Sequence, residues 1–135
     1  MLPGIRRLRL WRDALDHFGI STQELPCALS GKEKFLLDHG KPSVNEPLRL
    51  AAVVVLVPQS SDTVAIERLR GALAVAEIHA VVHMLQAARA LGRGPQIFAA
   101  AARLITAGVT VWQLRFPNDL ACLDEAAMKA LGVIA

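Results

Sequence analysis

The sequence predicts an α/β domain over residues 1–135, with a mixed β-sheet packed against helices. Three observations carry this. An apolar run at residues 48–57 is hydrophobic at both odd and even positions, as a strand covered on both faces requires. Segments 71–91 and 95–107 repeat apolar residues at helical spacing. Glycine and proline fall at the ends of these segments rather than inside them. The chain has 135 residues, 53% hydrophobic and 20% charged, enough to bury a single core and too apolar for disorder. With four Phe, two Trp and no Tyr, that core must be built from Ala, Leu, Val and Ile.

Residues 5–10 read as a short strand. Trp11, Ala14, Leu15 and Phe18 then recur at helical spacing, and Gly19 ends that helix where a left-handed residue is needed. Pro26, Ser30 and Gly31 mark residues 21–31 as turns, and residues 32–38 follow as a second short strand. Gly40, Pro42, Asn45 and Pro47 make residues 39–47 a loop. The strand at 48–57 is followed by a short polar loop and a strand at 63–69, and the two are expected to pair as a hairpin.

The rest is mainly helical. Residues 71–91 predict one long, deeply buried helix. One stripe holds Leu73, Ala76, Ala80, Met84 and Ala88; a second beside it holds Val75, Ile78, Val82 and Leu85. Gly92 and Gly94 interrupt it, Pro95 suits the first position of the next helix, and Gly108 stops that helix. A strand at 109–116 places Trp112, Leu114 and Phe116 on one face. Asn118 or Asp119 caps a last helix whose inward stripe is Leu120, Leu123, Ala127 and Leu131.

Composition excludes several functions. No apolar run is long enough to span a membrane, so a cytoplasmic protein is expected. Cys27 and Cys122 are far apart and form neither a zinc pattern nor a disulfide framework. The net charge of +3 is mildly basic. Arg6, Arg7, Arg9 and Arg12 invite a nucleic-acid reading, but no aromatics interleave and Asp13 and Asp16 follow at once, so no nucleic-acid partner is expected.

The motifs of nucleotide chemistry are absent. A phosphate loop needs GxxxxGK[ST], with amides around the phosphates, a lysine on the β and γ groups and a hydroxyl on magnesium. Gly31-Lys32 is followed by Glu33 and Gly40-Lys41 by Pro42, and neither supplies that hydroxyl. His79 and His83, with Gln86, share helical spacing, but no acidic residue accompanies them; a polar stripe explains them better than a metal. Lys32, Glu33 and Lys34 form a charged group at a strand start, where a lysine can meet a phosphate as a point charge or simply face solvent. Asp119 and Asp124 are explained by capping.

Several segments, in order, resemble the HPr-kinase-like serine kinases, a bacterial group related to the ATP-using phosphoenolpyruvate carboxykinases. They are Pro3-Gly4 with Leu8-Arg9-Leu10-Trp11-Arg12-Asp13-Ala14-Leu15 and Gly19, then Lys34, then Pro47-Leu48-Arg49-Leu50 with the apolar strand after it. Ile66-Glu67-Arg68-Leu69 with Gly71-Ala72-Leu73, and Val111-Trp112-Gln113-Leu114-Arg115-Phe116-Pro117-Asn118-Asp119-Leu120, complete the set. The resemblance implies the C-terminal half of a phosphoenolpyruvate-carboxykinase-like phosphate-loop domain, without its phosphate loop and catalytic acids. It implies no catalytic residue here, and Lys34 and Arg68 as weak contacts to phosphate or substrate. Phosphoryl transfer rests on positioning and charge neutralisation, so such a chain is not expected to transfer phosphate alone. ATP and magnesium are expected only if a partner chain supplies the loop. A protein partner or self-association is expected, with a protein or peptide as possible substrate. The alternative is a non-catalytic interaction or regulatory module built on the same fold.

Overall fold

The structure is a computed structural model that describes residues 7–38 and 47–134. It is a mixed α/β fold with two open sheets and five α-helices among the described residues, in two compact units that divide after Arg49.

In the first unit, β1 (Arg7–Trp11) runs antiparallel to β2 (Lys34–Asp38), with Leu10 opposite Phe35 and Trp11 opposite Lys34. The helix α1 (Arg12–His17) follows β1 without a break and buries Leu15 completely. The expected stripe is only partly inward: Trp11 and Phe18 stay 48% and 49% exposed. Gly19 ends the turn at φ +66°, a left-handed conformation open to glycine, and Ile20 N–H closes it on the Leu15 carbonyl at 2.9 Å. The loop expected at 39–47 lies outside the described residues except for Pro47, as do Ile5 and Arg6 of the first strand.

In the second unit, β3 (Ala52–Gln59), β4 (Ala65–Leu69) and β5 (Thr110–Pro117) form a sheet in the order β3-β5-β4. β5 is parallel to β3 and antiparallel to β4. The expected β3–β4 hairpin is therefore wrong. The loop after Gln59 carries the chain across the width of β5, and Gln59 Nε2 donates to the Thr63 carbonyl at 2.8 Å to hold that crossing. β5 holds the central place, and both of its faces are covered. On one face Val111 packs with Val55 and Ala74, flanked by Val53, Val57, Leu69, Ile78 and Ile105. On the other, Leu114 packs with Val64 and Ala126, flanked by Val54, Ile66, Phe116, Cys122 and Ala130.

The helix expected over 71–91 is broken. α2 (Gly71–Ala80) and α3 (Leu85–Ala90) are separated by a turn in which Met84 takes φ +56°. Two adjacent apolar stripes gave that segment no single inward face. The break lets α2 and α3 each pack on α4 (Gly94–Thr106). Deep burial fails too: Ala74 is buried, but Leu73 is 68% exposed. Pro95 sits in the first turn of α4 and Gly108, at φ +86°, follows its end, both as expected.

A 3₁₀ turn (Leu120–Cys122) leads into α5 (Leu123–Ile134). The inward stripe, Cys122 of the turn with Ala126 and Ala130 of α5, is one residue out of step with expectation. Leu131 is 60% exposed, and Met128 and Ile134 accompany it outward. Lys129 accounts for the rotation: its Nζ donates to the Val64 carbonyl and pairs with Glu125 Oε1 at 2.8 Å, fixing α5 against the start of β4. No helix among the described residues is long and apolar enough to cross a membrane.

Candidate functional site

Lys34 and Arg68 belong to different units, and each is engaged within its own. Lys34 opens β2, directly opposite Trp11, and its ammonium lies 4.9 Å from the indole centroid. The β-ladder sets this pair: residues opposite each other across antiparallel strands share a face, which brings the ammonium over the ring. Its neighbour Glu33 accepts a hydrogen bond from Arg12 Nε at 2.7 Å. Arg12 also donates through Nη1 to Thr22 Oγ1 at 3.1 Å and stacks 5.3 Å from the Phe35 centroid. One guanidinium thus ties α1, the loop after it and β2 together.

Beside these residues lies an open pocket of about 320 Å³, lined by Trp11, Arg12, Asp13, Asp16 and Glu33. Carboxylates dominate that lining, and Arg12 is already spent on Glu33, so the pocket repels rather than gathers a phosphate. Lys34 remains the one lysine of the expected group with a fixed seat. The Gly31-Lys32 pair is a turn: Gly31 takes φ +76° and Lys32 N–H donates to the Leu29 carbonyl at 3.2 Å. It lies in the approach to a strand and does not open a helix, so its amides do not form the cradle of a phosphate loop.

Arg68 lies on β4 opposite Trp112 of β5, with its guanidinium carbon 5.8 Å from the ring centroid. Trp112 Nε1 donates to Thr110 Oγ1 at 3.2 Å, which fixes the ring on which the arginine rests. On the opposite face of the same strands, Arg115 bonds Gln113 Oε1 at 2.7 Å and Glu67 Oε2 at 3.4 Å, while Gln113 reaches Glu77 on α2. These polar groups are exposed or half-buried; none of the charged or polar side chains among the described residues is fully buried.

The histidines part company. His79 ends α2 and meets Phe98 edge-on, with centroids 6.2 Å apart, whereas His83 lies in the turn beyond the helix. Helical spacing therefore does not align them. Among the described residues no three His, Cys, Asp or Glu side chains gather where a metal ion could be held. Arg9 is exposed on β1, and Arg12 is paired with Glu33. Asp119 acts as a cap: its Oδ1 accepts from Ala121 N–H at 2.9 Å.

Sequence reasoning missed the two cation–tryptophan seats. Their signal was present in the register, since Trp11 faces Lys34 and Trp112 faces Arg68, but that register emerges only once the strands are paired. No protein-family model, curated protein or solved structure matches the chain.

Proposed function

We propose that this chain is a partner-dependent component of a protein-phosphorylating system: the C-terminal part of an HPr-kinase-like serine kinase that does not transfer phosphate alone. In this reading the fold is a partial phosphoenolpyruvate-carboxykinase-like domain, working in the cytoplasm. The phosphate loop, and with it ATP and magnesium, comes from a separate chain. Lys34 and Arg68 contribute positive charge near a phosphate or a protein substrate and are not catalytic. The observation that supports partner dependence is the outward stripe of α5, where Met128, Leu131 and Ile134 are 69%, 60% and 50% exposed. Apolar surface at that density on one helix face is a recognised mark of association.

A second reading, a non-catalytic interaction or regulatory module on the same fold, is favoured by the seating of Lys34 and Arg68 over tryptophan rings, which occupies both cations without a phosphate. Thermal unfolding with and without magnesium-ATP tests the shared premise. A ligand bound only to the folded state stabilises it by about 2.7 kcal/mol at a hundredfold excess over its dissociation constant. The expected outcome is an unchanged midpoint. A clear rise from the chain alone overturns the proposal, because the pocket would then be complete without a partner.

A further inference from the structure

We propose that two copies of this chain exchange α4, β5 and α5, by straightening the turn between α2 and α3 into one continuous helix. The proposal concerns the second unit alone and does not depend on the kinase reading.

The turn is built without the residues that make turns. From Ala72 to Leu91 the sequence holds no glycine or proline, and its alanines and leucines favour helix, as Met84 itself does. Yet Met84 takes φ +56° and ψ +36°, where a Cβ crowds the next carbonyl oxygen. Local contacts do not explain this. Met84 is 66% exposed and makes no side-chain cap bond, and every residue of α3 stays at least partly exposed.

Chain geometry does explain it. Leu69 of β4 pairs with Val111 of β5, so α2 leaves the sheet at the end where β5 enters it. α4 covers the return with 13 residues, about 20 Å of helix. An unbroken helix over 71–91 would carry the chain outward about 31 Å. The residues after α4 do not bridge the difference. Gly108 and Val109 N–H coil back onto the Ile105 and Leu104 carbonyls at 3.0 and 3.1 Å, and Ile105 packs on the core. Within one chain, helical preference and closure of the sheet conflict, and Met84 carries the strain.

A second copy removes the conflict. The turn divides the unit into complementary halves: β3, β4 and α2 precede Met84, and β5, which lies between β3 and β4, follows it with α4 and α5. Each apolar layer needs both halves. Val111 meets Val55 and Ala74 on one face, and Leu114 and Ala126 meet Val64 on the other. With the helix straight, β5 of each copy enters the gap between β3 and β4 of the other. The sheet and both layers re-form between chains, and neither Met84 is left-handed. Closure within one chain acts at an effective concentration of the order of millimolar, so the monomer holds when dilute and the exchanged dimer grows with concentration.

Refolding the full chain from urea over a concentration series, followed by sedimentation, tests this. The dimer fraction is expected to rise with the concentration at refolding. Met84→Gly accepts the left-handed turn and weakens the straight helix, and is expected to raise the dimer dissociation constant about tenfold or more. Met84→Ile places a β-branched residue where a left-handed backbone is least tolerated, and is expected to shift the balance toward dimer. Circular dichroism checks that both variants stay folded. Glu67→Cys with Gln113→Cys, in a Cys27→Ser, Cys122→Ala background, sets two thiols opposite each other on β4 and β5. Oxidised with diamide, the dimer fraction is expected to give a covalent dimer on a denaturing gel, and the monomer fraction none. A chain that refolds as a monomer at every concentration overturns the proposal. So does a dimer indifferent to Met84→Gly, or one whose disulfides close within single chains.

Discussion

The two units use the same strand and helix vocabulary and are held together by different forces. The first has a two-stranded sheet, and Leu15 is its one fully buried side chain among the described residues. Beside the strand ladder it has the Arg12–Glu33 pair and two cations seated on Phe35 and Trp11. The second has apolar layers on both faces of β5, with Val111 and Leu114 1% and 3% exposed. A two-stranded sheet is marginal in water unless something packs on it, whereas a doubly covered strand draws on the hydrophobic effect from both sides. The difference teaches that the first unit depends on single side chains, where the second spreads its stability over two clusters.

The chain's two tryptophans, Trp11 and Trp112, fall one to each unit, so their fluorescence separates the responses. The largest effects come from the cores. Leu15→Ala and Leu114→Ala each delete a buried side chain, and each is expected to cost about 2–5 kcal/mol. Followed by urea unfolding, Leu15→Ala should abolish the ordered environment of Trp11 while leaving Trp112 unmoved. Leu114→Ala should lower the Trp112 transition without erasing it. Equal losses from the two variants would break the comparison. Arg12→Ala comes next, at about 1 kcal/mol in the first unit, because its ion pair is exposed and its ring contact partial. A Trp112→Phe background makes Trp11 the sole reporter of that change. The smallest effect is a gain. Met84→Gly relieves a left-handed residue that is 66% exposed, and should raise the stability of the second unit by about 0.5 kcal/mol, read by calorimetry.

Much of the fold was legible in the sequence, and the misreadings have physical causes. The strands around Val55 and Leu114, the proline start of α4 and the glycine stops at 19 and 108 depend on local chemistry, which a sequence carries directly. The hairpin failed because nearness in sequence favours β3–β4 pairing, whereas β5, from much farther along the chain, takes the place between them and the doubly apolar β3 is left at an edge. The long helix failed at Met84, where nothing in the residue type announces a left-handed turn. The α5 stripe slipped by one residue because Lys129, polar by type, points inward to the Val64 carbonyl.

Of the candidate site, the lack of a phosphate loop and the capping role of Asp119 could be read from the residues alone. The tryptophan seats of Lys34 and Arg68 could not, because they are properties of strand register.

That strand order also sets a schedule. The central strand of the second sheet is the last of its three to leave the ribosome, and it must enter between two strands already joined by a short loop. Until Thr110 to Pro117 has emerged, β3 and β4 are free to close on each other in a pairing the native state does not contain. Folding of this unit is therefore a late and non-local event, governed by long loop closure and by the need to keep β3 and β4 apart.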